Sequence, residues 1–564
     1  MKNSTLTAMK NSIHVIIYML LILLLAVNSL KAQNSGQQNL GNEDVTIVKE
    51  YQPVLNDAFK INILPEGDTS VAEPLHLQYN LEPQQMNSVY TLSPIKPVKI
   101  KDDVIKKLYR GFAKAGYGNY NTPLVEVSYH SLRSKIFDAG VDAKHMSSTG
   151  DIKGFGHPNF SENKLGLNGT RYFDKNALRG ALDFSRNVYH FYGYHQPPEM
   201  FTKTETKHLM NDLSGDFGFY STTTDKDKLA YSAGIKFNSF SDNRESSEST
   251  VRFNAGGGKR YDDSYISGEI ELDATGVKQP LQDNNRTVFR IMPRYAFKKD
   301  KYFITAGANI GYESGDAIDS KIHFYPHLET KFQLLTEEVS VYGQLSGNIQ
   351  TTTLSEFSKE NQFLSDRVPL VNTNTKLDLS AGVNVKLSKE LMTVAGITFQ
   401  KIAKQPYYIS LYNSNEPIKY TIFYDEINMM NLHVEMNYLQ EHKTSFGIRA
   451  DYYAYNNDSL KKPLYKPVFR LGLNGNYNIA DKIYIKADLF YNALVYAYEY
   501  STTNPIYIKL KDYMDINIGV DYKYSKVLTA FVQVNNIGMQ RYFRWFNYPS
   551  YRLNAMAGVT YSFW

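Results

Sequence analysis

The chain of 564 residues is long enough for several soluble domains, but no change in composition divides it into such domains. It contains no cysteine, which excludes disulfides, thiolate nucleophiles and cysteine-ligated metals. The formal net charge of +5 is small and no basic stripe with interleaved aromatics is present, so nucleic acid is not an expected partner. With 45 tyrosines and 30 phenylalanines, the chain is rich in the residues that form the interfacial belts of membrane β-barrels.

Residues 1–32 have the features of a secretory signal peptide. Lys2 and Lys10 supply positive charge, residues 13–27 form an apolar run, and Ala32 ends a cleavage site. The alternative is an uncleaved membrane anchor, but the run is short for a membrane span and a barrel pattern follows it. We therefore predict that residues 1–32 are removed after export.

Residues 33–108 differ from everything downstream. They begin with a polar stretch and end with spaced prolines, which favour extended or polyproline conformation. We predict an extended segment in the periplasm or the barrel lumen rather than a separate domain. Five residues in it resemble a TonB box, a short strand that an energy-coupling protein binds by β-augmentation: Asp44, Val45, Thr46, Ile47 and Val48. We prefer the simpler interpretation of a strand inside the barrel, because any short β-branched run fits this pattern.

From Tyr109 onward the chain is a series of alternating strands. Residues 376–388 are the clearest example, with leucine, alanine and valine on one face and lysine, aspartate, serine and asparagine on the other. Charge on the second face is tolerable only where that face meets water or paired polar groups. No apolar run after the N-terminus is long enough for a membrane helix. The pattern predicts an all-β fold over residues 109–564, a transmembrane antiparallel up-and-down β-barrel.

Short charged turns alternate with longer connections along this region. Tight turns are predicted around residues 133–135, 174–176, 225–227, 262–263, 298–300, 337–338, 388–390, 441–443, 480–482 and 525–526. Longer connections are predicted at residues 147–158, 194–206, 279–285, 352–372 and 405–419. This alternation is typical of outer-membrane barrels, and it predicts about 22 strands with the short turns in the periplasm. An even count places both chain ends in the periplasm and pairs the last strand with the first.

Residues 551–564 form the last predicted strand, which is apolar on one face. Its ending contains Gly558, Tyr561 and Phe563 in a Gly-x-x-aromatic-x-aromatic pattern. This pattern resembles the C-terminal signal that the barrel-assembly machinery binds in bacterial outer-membrane barrels. Trp564 departs from it by adding one residue after the last aromatic position. The alternative is an edge strand of a soluble β-domain, which the repetition of the same pattern along the chain disfavours.

The C-terminal third resembles the barrel of TonB-dependent receptors. Residues 531–537, 541–542, 548–549 and 552, followed by the final strand, are similar to the closing hairpin of that family. Strands carrying Pro293 and Pro326 resemble its recurring strand with a proline where one ladder bond is missing. The family places a folded plug domain before the barrel, whereas residues 33–108 show no such pattern. The resemblance therefore implies a plug-less relative, and no ligand-binding residue carries over.

A lumen of this size must be closed by something. The candidates are residues 33–107, inward side chains, the 352–372 connection or a partner protein. We predict a non-enzymatic scaffold subunit of an outer-membrane complex for envelope biogenesis or protein export. The alternative is a TonB-dependent-receptor-like transporter or a gated porin for small solutes. Expected partners are outer-membrane lipids and lipopolysaccharide of a Gram-negative bacterium, the barrel-assembly machinery, and a periplasmic protein or surface lipoprotein.

No residue pattern indicates catalysis or a cofactor. The chain contains no Gly-x-Ser-x-Gly elbow and no His-Glu-x-x-His helix. His190 and His195 fall on opposite faces of a strand, which disfavours a shared metal. Pairing with lysine or arginine on the lumen wall accounts for Glu126, Asp515 and Asp521. Loop aromatics that could contact a glycan or lipoprotein are better explained by packing at the interfacial belt: Tyr407, Tyr408, Tyr412, Phe543, Trp545, Phe546 and Tyr548.

Overall fold

The computed structural model describes residues 108–563, apart from residues 133, 195–199, 224, 226, 281, 336–337, 413–415, 442 and 501–505. The predicted signal peptide, the N-terminal segment with its TonB-box-like residues 44–48, and Trp564 lie outside the described residues. No helix in the described part of the chain is long and apolar enough to cross a membrane.

The described chain folds into 26 strands and two short helices, and 22 of the strands form a closed antiparallel barrel. The strands are β1 (Gly111–Gly118), β2 (Thr122–His130), β3 (Phe137–Ser148), β4 (Phe160–Tyr172), β5 (Asn176–His190), β6 (Lys207–Ser221), β7 (Ala230–Asp242), β8 (Ser247–Tyr261), β9 (Ser264–Gln279), β10 (Gln282–Lys299), β11 (Tyr302–Gly315), β12 (Ile318–Leu335), β13 (Val339–Gln350), β14 (Thr373–Lys386), β15 (Leu391–Leu411), β16 (Lys419–Gln440), β17 (Thr444–Asn457), β18 (Phe469–Ile479), β19 (Ile483–Ala493), β20 (Tyr496–Tyr500), β21 (Ile506–Lys509), β22 (Tyr513–Lys523), β23 (Leu528–Asn535), β24 (Phe543–Trp545), β25 (Tyr548–Pro549) and β26 (Asn554–Phe563). The helices are α1 (Lys203–Thr206) and α2 (Leu354–Glu360).

The barrel closes between its last strand and its first. β26 pairs with β23 on one side and with β1 on the other, and Gly558 is opposite both Phe531 and Gly116. The strands β20 and β21 form a hairpin that is not part of the 22-stranded ring. Its first strand, β20, pairs in parallel with the end of β15. The hairpin β24–β25 belongs to the last long connection. The predicted fold class, strand count and closure are therefore confirmed.

Alternate residues of each strand face opposite environments. In β14, the apolar side chains of Leu377 and Leu379 are exposed on the outer face. Lys376 lies on the inner face, and its Nζ is 2.7 Å from Glu426 Oε2 on β16. An apolar outside and a charged, paired inside are the two surfaces that a lipid bilayer and a wet lumen require.

The three predicted lumen carboxylates lie on the inner face. Asp521 forms an ion pair with Lys486 at 3.2 Å, and Asp515 accepts a hydrogen bond from the hydroxyl of Tyr542 at 2.7 Å. Glu126 lies in register between a lysine of β1 and a lysine of β3. Pairing with a lysine of the barrel wall therefore accounts for Asp521, whereas Asp515 is contacted by a tyrosine of a loop.

The two ends of the barrel differ. At one end, here the turn end, β1 begins, β26 ends and every predicted tight turn joins two strands. The opposite loop end carries the longer connections. Two predicted connections there were wrong, because β9 continues to Gln279 with β10 starting at Gln282, and β15 continues to Leu411. In the extension of β15, consecutive side chains such as Tyr407 and Tyr408 are both buried, so a period-two alternation did not reveal it.

The two mid-strand prolines lie where the pairing with one neighbouring strand is interrupted, as the family resemblance implied. Pro293 faces Ala308 of β11 without an N–H to donate, and Arg294 Nη1 donates to the Ala308 carbonyl instead at 2.5 Å. Pro326 of β12 has no partner on β13, because that pairing ends at Leu328. Both prolines therefore lie where the ladder is already interrupted.

Candidate functional site

The connection between β13 and β14 folds into the barrel. We call residues 351–372 the inner loop; it includes α2 and was one of the four sequence-based candidates for closing the lumen. Its buried residues are Thr351, Thr352, Thr353, Leu354, Ser355, Phe357, Ser358, Asn361, Phe363, Leu364, Val368, Leu370 and Asn372. Burial along the whole loop shows that it is a packed part of the barrel end rather than a surface excursion.

A second connection covers the inner loop. Residues 536–553, here the closing hairpin, join β23 to β26 and include β24 and β25. The ring of Tyr548 stacks on Phe363 with centroids 3.6 Å apart, and Trp545 packs edge-on against Tyr408 at 4.7 Å. The hydroxyl of Tyr420 donates to the Phe546 carbonyl at 2.6 Å. Together the two connections form one apolar cluster across the loop end.

The placement of these aromatics corrects a sequence-based interpretation. Tyr407, Tyr408, Trp545 and Tyr548 were assigned to the interfacial belt, but all four are buried. The last three lie in the apolar cluster formed by the inner loop and the closing hairpin, here called the seal, and Tyr407 lies in a second cluster with Ile402 and Leu464. Burial also raises the pKa of Tyr548 well above its usual value. The phenol therefore stays neutral, and its hydroxyl donates a hydrogen bond to the carbonyl of Ile418.

The first turn of α2 is held by carboxylates from the barrel wall. Glu248 accepts hydrogen bonds from the backbone N–H groups of Leu354 and Ser355 at 2.6 and 3.2 Å. Asp212 accepts from the Ser355 hydroxyl and lies 3.0 Å from Lys359 Nζ. Negative groups at the start of a helix satisfy its free N–H groups, so these contacts fix the orientation of α2.

Both stems of the inner loop rest on arginines of β10. Arg286 donates to the Thr352 carbonyl at 2.8 Å and reaches the Asn372 side chain at 3.5 Å. Arg290 donates to the Ile349 carbonyl at 2.9 Å and forms an ion pair with the fully buried Asp273. Arg252 and Glu271 complete this network, with Arg252 Nε 2.9 Å from Glu271 Oε1. The loop is thus anchored to a buried charge cluster.

Asp366 holds a second part of the inner loop, beyond α2, to two basic residues of the barrel. Asp366 pairs with Arg244 at 2.9 Å and with Lys419 at 3.3 Å, and its side chain is partly exposed. We expect Asp366→Asn to cost about 1 kcal/mol or less, because partly solvated ion pairs are weak and screened by salt. Limited proteolysis at the inner loop should accelerate modestly at low salt and less at high salt. An unchanged rate at low salt would show that this anchor contributes nothing.

Sequence analysis missed the network on β10, although a pattern for it exists. Arg286, Arg290 and Arg294 recur every fourth residue, which places all three on one face of a strand. His190 contacts the Thr206 hydroxyl at 3.1 Å, while His195 lies outside the described residues. Within the described ranges no three His, Asp or Glu side chains come together as a metal site.

The fold is that of an outer-membrane β-barrel, and three solved structures illustrate the similarity. The FrpB iron transporter from Neisseria meningitidis is 10% identical, with a TM-score of 0.62 over 81% of this chain and 82% of that chain. The pyoverdine receptor FpvA from Pseudomonas aeruginosa is 10% identical, with a TM-score of 0.60 over 81% and 78%. The siderophore receptor PirA from Acinetobacter baumannii is 11% identical, with a TM-score of 0.60 over 80% of both chains. No protein-family model and no curated protein sequence matches the chain.

These neighbours are TonB-dependent receptors, so the chain has the barrel fold of that class. The described residues contain the barrel without a plug domain. At this level of sequence identity the similarity extends to the fold alone.

Proposed function

We propose that this chain is an outer-membrane transport barrel for small solutes that is held closed at its loop end by the inner loop. The observation that carries the proposal is a charge-lined lumen ending at a loop that is folded inward and anchored to the wall. Both chain ends would lie in the periplasm, and the exposed apolar outer face would contact lipid. The similarity to uptake receptors favours transport over the scaffold role that we expected from the sequence.

Opening the seal would expose apolar side chains of the inner loop to water. Six apolar side chains of the inner loop are buried in the cluster: Leu354, Phe357, Phe363, Leu364, Val368 and Leu370. Exposing such a side chain to water costs about 1.5–3 kcal/mol before the gain in chain entropy is subtracted, so the closed position of the loop is favoured. A passive porin is therefore disfavoured, and opening requires work from a partner or from an energy-coupling protein that binds the segment around residues 44–48.

Single-channel conductance in planar bilayers tests the proposal. We expect the full chain to be silent, and a variant with residues 354–371 replaced by a short glycine–serine linker to conduct steadily, because the stems at Thr352 and Asn372 already lie together on Arg286. Inserting the same linker at the turn formed by residues 262–263 is the matched control and should stay silent.

Two outcomes would contradict the proposal. Steady conductance by the full chain would mean that the inner loop does not seal the lumen. Silence in both forms would mean that the lumen is blocked elsewhere and would favour the scaffold hypothesis. A protein captured by crosslinking from residues 44–60 would then identify the complex.

A further inference from the structure

A polar cavity lies beside the closing hairpin at the loop end of the barrel. Its volume is about 390 Å³, which suits a small ligand. Strands β18, β19 and β22 form its wall, and the last residue of α2 and the strand β24 border it. Four charged side chains line the cavity: Glu360, Arg470, Asp515 and Arg544. The barrel wall, the inner loop and the closing hairpin therefore each contribute a charge to one space.

Arg470 lines this cavity without an ionic partner among the described residues. The carboxylate directly opposite it on β17 is Asp451. Asp451 instead accepts hydrogen bonds from Arg449 Nε at 2.9 Å and Nη2 at 3.2 Å. The guanidinium of Arg470 lies over the ring of Tyr453, 5.8 Å from its centroid. A contact with the face of a ring uses none of the five N–H donors of an arginine, so these donors are available to a ligand.

The other three charged groups also lack an ion pair with any residue that the structure describes. Arg544 and Glu360 are both exposed, and Glu360 accepts a hydrogen bond from the Tyr408 hydroxyl at 2.7 Å. Asp515 accepts from the Tyr542 hydroxyl through Oδ2, while its Oδ1 atom is buried and has no hydrogen-bond partner within the described ranges. Both carboxylates thus have a tyrosine as donor and no cation as partner.

Opposite charges elsewhere on the inner face of the barrel do form ion pairs. Two examples are the pair of Arg290 with Asp273 and the pair of Lys486 with Asp521. Around the cavity, two positive and two negative groups instead remain apart from one another. A simple anion would be repelled by the two carboxylates, and a simple cation by the two guanidinium groups. The charges are therefore complementary to a ligand that carries both signs.

Aromatic side chains supply much of the remaining surface of the cavity. The rings of Tyr513 and Tyr542 stack with their centroids 4.2 Å apart. Phe490 is in register with Asp515 on the inner face, and it is 48% exposed there. An exposed ring offers apolar area and a face on which a second ring can pack. The cavity therefore combines charges of both signs with an aromatic surface.

We propose that this cavity binds a small zwitterion with the chemistry of a free amino acid. Its carboxylate would accept hydrogen bonds from Arg470 and Arg544, and its ammonium would donate to Glu360 on the opposite side, beside Asp515. A side chain of the ligand would pack on Phe490. The inference rests on the proposed transport function, because it names the class of solute that the barrel would carry.

Calorimetric titration of the purified full chain in detergent tests the site. Phenylalanine is the zwitterionic probe, N-acetylphenylalanine retains only the carboxylate charge, and phenylalanine amide retains only the ammonium charge. We expect each derivative to bind about tenfold more weakly than phenylalanine, because each loses one charge-assisted contact. Equal binding of phenylalanine and either derivative would overturn the proposal, and so would the absence of binding by all three.

Two variants assign the charges of the ligand to the two sides of the cavity. Arg470→Gln should weaken phenylalanine and N-acetylphenylalanine about tenfold without weakening the amide. Glu360→Gln should weaken phenylalanine and the amide without weakening N-acetylphenylalanine. Lys486→Gln is the control, because Lys486 pairs with Asp521 on the same wall outside the cavity. Equal losses for all three probes, or no loss in either variant, would refute the assignment.

Failure of this inference is distinguishable from failure of the proposed function. Conductance of the variant that lacks residues 354–371, without selective binding of phenylalanine by the full chain, would refute the site and leave transport standing. Selective binding of phenylalanine, together with silence of the shortened variant, would refute the sealed transport barrel and show a binding site in a barrel of another function.

Discussion

Gly558→Ala is expected to prevent the barrel from closing. A Cβ atom at this position would lie 2.1 Å from the carbonyl oxygen of Ala115 and 2.6 Å from the Cα atom of Gly116. Both are backbone atoms, so no rotamer change relieves the contact, and β26 must move away from β1. The cost therefore exceeds the about 1–3 kcal/mol that is typical of overpacking, because ladder hydrogen bonds break as well.

Refolding into lipid vesicles without any assembly machinery measures this effect. The gel shift of an unheated sample reports the closed barrel. Gly268→Ala is the matched control, because a Cβ there meets no atom within 4 Å. If Gly558→Ala refolds normally in vesicles but is not assembled in cells, Gly558 acts through recognition by the assembly machinery. That result would refute the steric account and support the predicted C-terminal signal.

Asp273→Ala is expected to destabilise the inner loop by about 3–5 kcal/mol. The substitution leaves the buried Arg290 and the half-buried Arg252 with Glu271 as their shared carboxylate, and it removes the acceptor of the Thr351 hydroxyl, which is now 3.0 Å away. Breaking one partner of a buried network is costly, because the charges that remain have lost their compensation. The loop stem at Thr351 and Thr352 should loosen first.

Tryptophan fluorescence during urea unfolding reports this change. The chain has two tryptophans, so a Trp564→Phe background leaves Trp545, which lies within the seal. Asp521→Ala is the control, because its pair with Lys486 is largely solvated and should contribute about 0–1 kcal/mol. Equal stability of the two variants would mean that the buried network does not hold the loop.

Period-two alternation was sufficient to predict the barrel and its number of strands. The membrane imposes an apolar face on every strand, so residues such as Leu377 and Leu379 reveal their orientation from sequence. The same rule fails for residues 405–411, where the successive side chains of Tyr407 and Tyr408 are both buried and no single apolar face remains. It also fails for the inner loop, where Leu354, Phe357 and Phe363 follow no strand period.

The inward fold of the loop depends on partners far away in the sequence. Glu248, Asp273 and Arg286 contact it from β8, β9 and β10, and the closing hairpin covers it from the C-terminal end. Nothing in the spacing of these residues indicates which loop they hold. The four-residue spacing of the β10 arginines predicts a shared face, and only the barrel register shows what that face contacts.

The origin of the seal from two distant stretches has a consequence for biogenesis. The inner loop connects β13 to β14 in the middle of the chain, whereas Trp545 and Tyr548 belong to the closing hairpin just before the last strand. In an insertion intermediate that lacks the final strands, β1 would therefore have no closing partner and the inner loop would lack its cover. Covering of the inner loop and completion of the ring therefore depend on the same last stretch of the chain.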